Sequence, residues 1–112
     1  MAHKAILIVL ILIFSGTSYA AGGWTNNVKV IKINSVNETL AVVKLSSFNN
    51  QNGCYTNADG DIALDPSVRK GAFSMFLSAY MADKAVDVYV KASCTPIWPN
   101  TSFADLSYVK LR

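Results

Sequence analysis

The chain has 112 residues with a formal charge of +3, 52% hydrophobic residues and only 15% charged ones. So weak a positive balance leaves no electrostatic footprint for nucleic acid, and the length allows one small domain with a limited core. Two cysteines and a single histidine narrow the available chemistry further.

His3 and Lys4 precede an apolar run over residues 5–14, and Ser18-Tyr19-Ala20 places small residues where a signal peptidase reads them. At about 10 residues the run falls well short of the roughly 20 that span a bilayer. Residues 1–20 therefore read as a signal peptide cleaved after Ala20, and residues 21–112 as a single exported domain with no integral membrane span. Removing Lys4 lowers the charge from +3 to +2. The reading is bacterial export, to the periplasm or out of the cell. In that oxidising setting Cys54 and Cys94 are expected to form one disulfide.

Ala21-Gly22-Gly23 reads as a flexible lead-in and Trp24 as the anchor of the mature N-terminus. Residues 28–33 form a first strand whose pattern slips: Val28 and Val30 share one face, Ile31 and Ile33 the other. Either burial on both sides or a bulge accounts for this. After a polar turn at 34–38, residues 39–45 return as a second strand, making a hairpin. Residues 46–53 are polar, with the turn signal Asn52-Gly53 at their tip. Residues 54–56 are expected as a short third strand, with 61–64 as its possible continuation.

The segment 65–82 must be helical. Asp65 suits an N-cap and Pro66 the first helical position, and Val68, Ala72, Met75, Phe76, Ala79 and Tyr80 recur at helical spacing as one apolar face. Arg69 and Lys70 are expected to stay in water. Residues 85–92 alternate, with Val86, Val88 and Val90 opposed to Asp87, Tyr89 and Lys91, a half-buried strand with one wet face. Residues 93–101, holding Pro96 and Pro99, read as a loop. Residues 103–111 close the chain as a strand, with Leu106 and Tyr108 facing opposite to Val109 and Leu111. The order strand, strand, strand, helix, strand, strand predicts a mainly β domain, an OB-fold-like barrel of five strands with the helix plugging one open end. An open α+β sheet on one packed helix is the alternative.

Catalytic chemistry finds little support. His3 leaves with the signal peptide, both cysteines are expected to be oxidised, and Glu38 sits in a presumed turn, so no catalytic residue is assigned. Asn57-Ala58-Asp59-Gly60-Asp61 alternates oxygen ligands as calcium loops do, yet lacks their spacing and closing glutamate, so no metal or cofactor is expected. Asn37-Glu38-Thr39 and Asn100-Thr101-Ser102 match the glycosylation acceptor pattern, which matters only in a eukaryotic secretory pathway. The aromatic residues are more informative. Tyr89 falls on the wet side of its strand, Trp98 lies in a proline-bounded loop with Asn100 beside it, and Tyr55 adjoins Cys54. Rings beside amides suit sugars, whose apolar faces stack while their hydroxyls take hydrogen bonds. The competing reading has Trp98 folded over the disulfide and Tyr89 paired across strands.

The helix through Ala79-Tyr80-Met81, the strand Ala85-Val86-Asp87-Val88-Tyr89-Val90, the Trp98 loop and Ser102-Phe103-Ala104-Asp105-Leu106 follow one another in an order similar to that of the OB-fold B subunits of AB-type bacterial toxins, that of subtilase cytotoxin among them. The resemblance implies a homo-pentamer that binds a cell-surface glycan and partners another secreted subunit. It assigns no binding residue. The expectation is a secreted or periplasmic, non-catalytic binding module, toxin B-subunit-like and carbohydrate-binding, with Tyr55, Tyr89, Trp98 and Asn100 as candidate contacts. An envelope structural or interaction protein, or an inhibitor, without a small ligand is the alternative.

Overall fold

The computed structural model describes residues 22–112; the segment read as a signal peptide lies outside the described residues. Five strands and one helix follow in the order β1 (Gly23–Asn37), β2 (Leu40–Leu45), β3 (Ile62–Leu64), α1 (Lys70–Ala82), β4 (Ala85–Pro96) and β5 (Ser102–Leu111). The strands hydrogen-bond in a closed ring, β1-β2-β3-β5-β4 and back to β1. Every pairing is antiparallel except that of β3 with β5. The open-sheet alternative therefore does not hold.

β1 is longer than its apolar stretch suggests, and of the two explanations for its slipping pattern the bulge is the right one. Val30 pairs with Leu45 and Lys32 with Lys44, which leaves Ile31 without a partner and pushes it outward, while Val28 and Val30 stay buried. A second irregularity lies upstream. Thr25 pairs with Val88 and Val28 with Val86, so Asn26 and Asn27 together face Asp87. Asn27 takes a positive φ of 55°, which asparagine tolerates better than most residues, and its N–H donates to Asp87 Oδ1 at 2.8 Å. Asp87 was expected on the wet face of β4. It is instead 9% exposed, because its carboxylate holds this bulge, with Arg112 Nε 3.4 Å away.

The third strand forms at 62–64 and not at 54–56. The backbone of Cys54 and Tyr55 is satisfied by side chains of Asn50 and Ser102, so no ladder partner is needed there. Gly53 takes a φ of +68°, in keeping with the Asn-Gly turn. β4 runs on through Cys94 to Pro96, past the expected end of the strand, with the proline as its last residue. In β5, Tyr108 pairs with Tyr89 and Leu106 with Val90, so Ser107 is an extra residue. That bulge turns Leu106 and Val109 inward together and leaves Tyr108 and Leu111 exposed, contrary to simple alternation.

The helix begins at Lys70, one turn later than expected. Asp65 does cap, but it caps an isolated turn: its Oδ1 accepts from Ser67 N–H at 2.9 Å and Ser67 Oγ at 2.6 Å, and its carbonyl accepts from Val68 and Arg69 N–H. Arg69 is the residue at the helix start and has no side-chain cap. Its guanidinium is not in water. It donates to the carbonyls of Leu106 (3.1 Å) and Ser107 (2.6 Å), satisfying the backbone at the β5 bulge, whereas Lys70 is exposed. Val68, in the earlier turn, is out of helical phase and 74% exposed, and Met75 and Tyr80 also face outward. The inward stripe is Ala72, Phe73, Phe76 and Ala79. It packs on the inner face of the ring, where Val86, Val88 and Val90 are buried as alternation predicts. At the far end Asp83 adopts φ 56° and the N–H of Lys84 donates to the Ala79 carbonyl, a left-handed stop followed directly by β4.

The hydrogen bonds from Ser67 lower the Asp65 pKa, the hydroxyl contact being the largest cause. A carboxyl depressed in the folded state contributes stability above its unfolded pKa and loses it as pH falls through the folded value. In Ser67→Ala, the Asp65 carboxyl carbon followed by NMR should titrate higher, toward the ordinary value of about 3.9. An unchanged midpoint would count against the Ser67 contact. Asp87→Ala should destabilise the fold by about 1–3 kcal/mol, because the Asn27 amide loses its charged acceptor. Urea unfolding measures this, and a neutral effect would show that the bulge stands without the carboxylate.

Candidate functional site

The loop joining β2 to β3 and the loop joining β4 to β5 meet on one side of the ring. Asn50 brackets Cys54 from both sides, its Oδ1 accepting from Cys54 N–H at 3.0 Å and its Nδ2 donating to the Cys54 carbonyl at 2.8 Å. Cys54 is joined to Cys94 of β4, with their Cα atoms 5.8 Å apart. Tyr55 N–H donates to Ser102 Oγ at 2.9 Å, and Ser102 N–H donates to the Tyr55 carbonyl at 3.0 Å. A short stretch of chain is thus fixed at three consecutive anchor points. The Tyr55 ring projects from it and is 71% exposed.

The opposite wall is the turn at 97–101. Thr101 N–H donates to the Trp98 carbonyl at 3.0 Å, Ile97 N–H to the Thr101 carbonyl at 3.3 Å, and Thr101 Oγ1 to the Pro99 carbonyl at 3.1 Å. Asn100 sits at the crest with φ 58°. Between the two walls lies an open cleft of about 610 Å³ lined by Asn50, Cys54, Tyr55, Thr56 and Asn100.

Of the four candidate contacts, Tyr55 and Asn100 come together here. Trp98 does not line the cleft. Its ring meets Phe103 edge-on at 5.9 Å, over a small second core of Val42, Ala63 and Phe103 packed by Leu40 and Ile97, although 38% of Trp98 remains exposed. Gly60 belongs to the same region: a Cβ there would lie 1.8 Å from Val42 Cγ1. Tyr89 lies in a different cluster, 5.2 Å from Trp24, which in turn meets Tyr108 at 5.5 Å and carries Lys110 Nζ 5.0 Å over its ring. Tyr89 thus packs across strands, and Trp98 packs on Phe103 of β5 rather than over the disulfide. Asn50 and Thr56 were missed, because an asparagine within an Asn-rich loop carries no mark of the partner it brackets.

The remaining polar groups are largely committed to the fold. Asp59 pairs with Lys32 at 2.7 Å and closes a turn onto Asn57, while Asp61, nearly buried, accepts from Lys44 Nζ and Leu45 N–H at 3.0 Å. Among the described residues no three of His, Cys, Asp or Glu converge where a metal ion could be held. A second hollow of about 340 Å³ lies between the 65–69 turn and strands β3 to β5. There Asp105 accepts the hydroxyls of Ser93 and Thr95, and Arg69 is spent on carbonyls. No helix among the described residues is long and apolar enough to cross a membrane.

No protein-family model matches the sequence, and no curated protein does. Function is therefore read from this chain's own residues.

The disulfide holds the floor of the cleft and closes a loop with a sequence separation of 40. On the chain-entropy model a loop of this length stabilises by roughly 4 kcal/mol. Reduction, or the double variant Cys54→Ser with Cys94→Ser, should lower the melting temperature by roughly 15–30 °C. A thermal transition indifferent to reductant would show that the cystine does not constrain the folded chain.

Proposed function

We propose that this chain is an exported, non-catalytic binding module with an OB-fold barrel, and that it binds glycans in the cleft between Tyr55 and Asn100. The ring order β1-β2-β3-β5-β4, with the helix between β3 and β4 lying over the ring's interior, supports the barrel reading. In such barrels the β4–β5 loop, which here carries Asn100, is one of the established binding surfaces, though fold alone assigns no ligand. One observation carries the ligand class: an exposed tyrosine, anchored through its backbone to Ser102, lines an open cleft together with a carboxamide. The ring offers a flat apolar surface to the C–H face of a sugar, and the carboxamide offers both a donor and an acceptor to its hydroxyls. Commitment of Asp59, Asp61, Asp87 and Asp105 to structural partners supports the non-catalytic reading.

The resemblance to B subunits of AB-type toxins adds an expected assembly, five copies in a ring with another secreted subunit as partner. A second reading, an envelope interaction protein, draws on the outward helix surface, where Leu77, Tyr80 and Met81 are exposed. On a glycan array the wild-type protein should give discrete hits that Tyr55→Ala abolishes and Trp98→Ala only weakens. Absence of any hit, or hits indifferent to Tyr55, would remove the glycan reading. Light scattering of the purified mature protein should give a discrete pentamer if the toxin-like assembly holds, and a monomer if it does not.

A further inference from the structure

Resting on the glycan reading, we propose further that the cleft is selective for uncharged saccharides and rejects sialylated, sulfated or uronic ones. Asn50, Cys54, Tyr55, Thr56 and Asn100 line it, and none of these carries a charge. The strongest partners a protein gives carboxylates and sulfates are arginine forks and lysines, and neither lines these walls; the hydroxyls and carboxamide present could hold an anion only without that charge pairing. An acidic ligand would surrender part of its hydration here without a charged partner in exchange.

The polar groups that remain for a ligand point the same way. The Asn50 carboxamide is used at both ends on the Cys54 backbone, so it shapes the wall and has little to offer a sugar. The side chains of Tyr55, Thr56 and Asn100 make no hydrogen bond to the other described residues. Each of the three both donates and accepts. Sugar hydroxyls do the same, whereas a carboxylate only accepts and would use half of what the cleft provides. Asn100 is held at φ 58°, a conformation that asparagine and glycine tolerate and most residues do not, so its carboxamide is presented by a strained crest that few other polar side chains could occupy.

Saturation-transfer NMR on the purified, oxidised protein tests this. The probes are methyl glycosides of glucose, galactose, mannose and N-acetylglucosamine, together with lactose, each run beside a charged counterpart: the corresponding uronic acid, a 6-sulfated sugar, or 3′-sialyllactose. At least one neutral probe should bind, its counterpart about tenfold or more weakly. Tyr55→Ala and Asn100→Gly should each weaken the neutral probe by about tenfold or more. Glycine keeps the left-handed backbone and removes only the carboxamide, and an unchanged melting temperature shows that both variants are folded. A charged probe that binds as well as its neutral partner, and is lost in Tyr55→Ala, overturns the selectivity and leaves the glycan reading standing. Neutral binding that ignores both substitutions places the sugar elsewhere and overturns the assignment. Silence from every saccharide overturns the glycan reading and the selectivity with it.

Discussion

One strand serves two partners, and the ring exists because it bends. Residues 23–29 of β1 pair with β4 and residues 30–37 with β2. A straight strand could not do both, since a ring of five leaves too little circumference. The bend is built from the unpaired residues Asn26, Asn27 and Ile31, and at the first of these irregularities the Asp87 carboxylate replaces the ladder hydrogen bond that the bulge destroys. Burying that carboxylate carries a desolvation cost, offset by the amide it accepts from and by Arg112 nearby. Arg69 solves the mirror problem at the β5 bulge, where extra carbonyls are left over and a cation supplies the donors. Curvature is thus secured by charged side chains bound to backbone, one of each sign.

This explains which parts of the fold were legible in the sequence. Residues whose environment follows from period alone could be read: Val86, Val88 and Val90 alternate into the core, and the β1-β2 hairpin follows from two apolar runs around a polar turn; the two cysteines pair, as expected of the chain's only two. What failed to read depends on a partner far away in the chain. Arg69 looks like a solvated residue until Leu106 and Ser107 are beside it, 37 and 38 positions on. Asp87 looks wet until Asn27 reaches it across 60. The stretch at 54–56 looks like a strand by its β-prone residues, and only Asn50 and Ser102 remove its need for one.

The candidate site shows the same division. Tyr55 and Asn100 were recognisable as surface groups of suitable chemistry, but nothing in their spacing says that residues 45 apart in sequence share a cleft. That follows from the cystine and the two hydrogen bonds between Tyr55 and Ser102, which draw the two loops together. Trp98 too is placed by contacts that its spacing does not reveal. Its loop lies across the outer face of β2, β3 and β5, where Val42, Ala63 and Phe103 need cover, and a large ring is better used to exclude water from that patch than to await a ligand.

Rigidity then bears directly on what the cleft can do. A ligand held by one ring and a few neutral hydrogen bonds gains little free energy per contact, so any ordering of the loop on binding would consume much of it. Here the ordering is already accomplished, because Cys54 is fixed by Asn50 and the cystine, Tyr55 by Ser102, and Asn100 by the turn closed through Thr101. Such a site remains weak as a single copy, and useful affinity at a cell surface would come from presenting several copies at once. A pre-ordered, neutral cleft would gain most from being one of a set, and on the proposed glycan reading that is what the proposed ring-shaped assembly would supply.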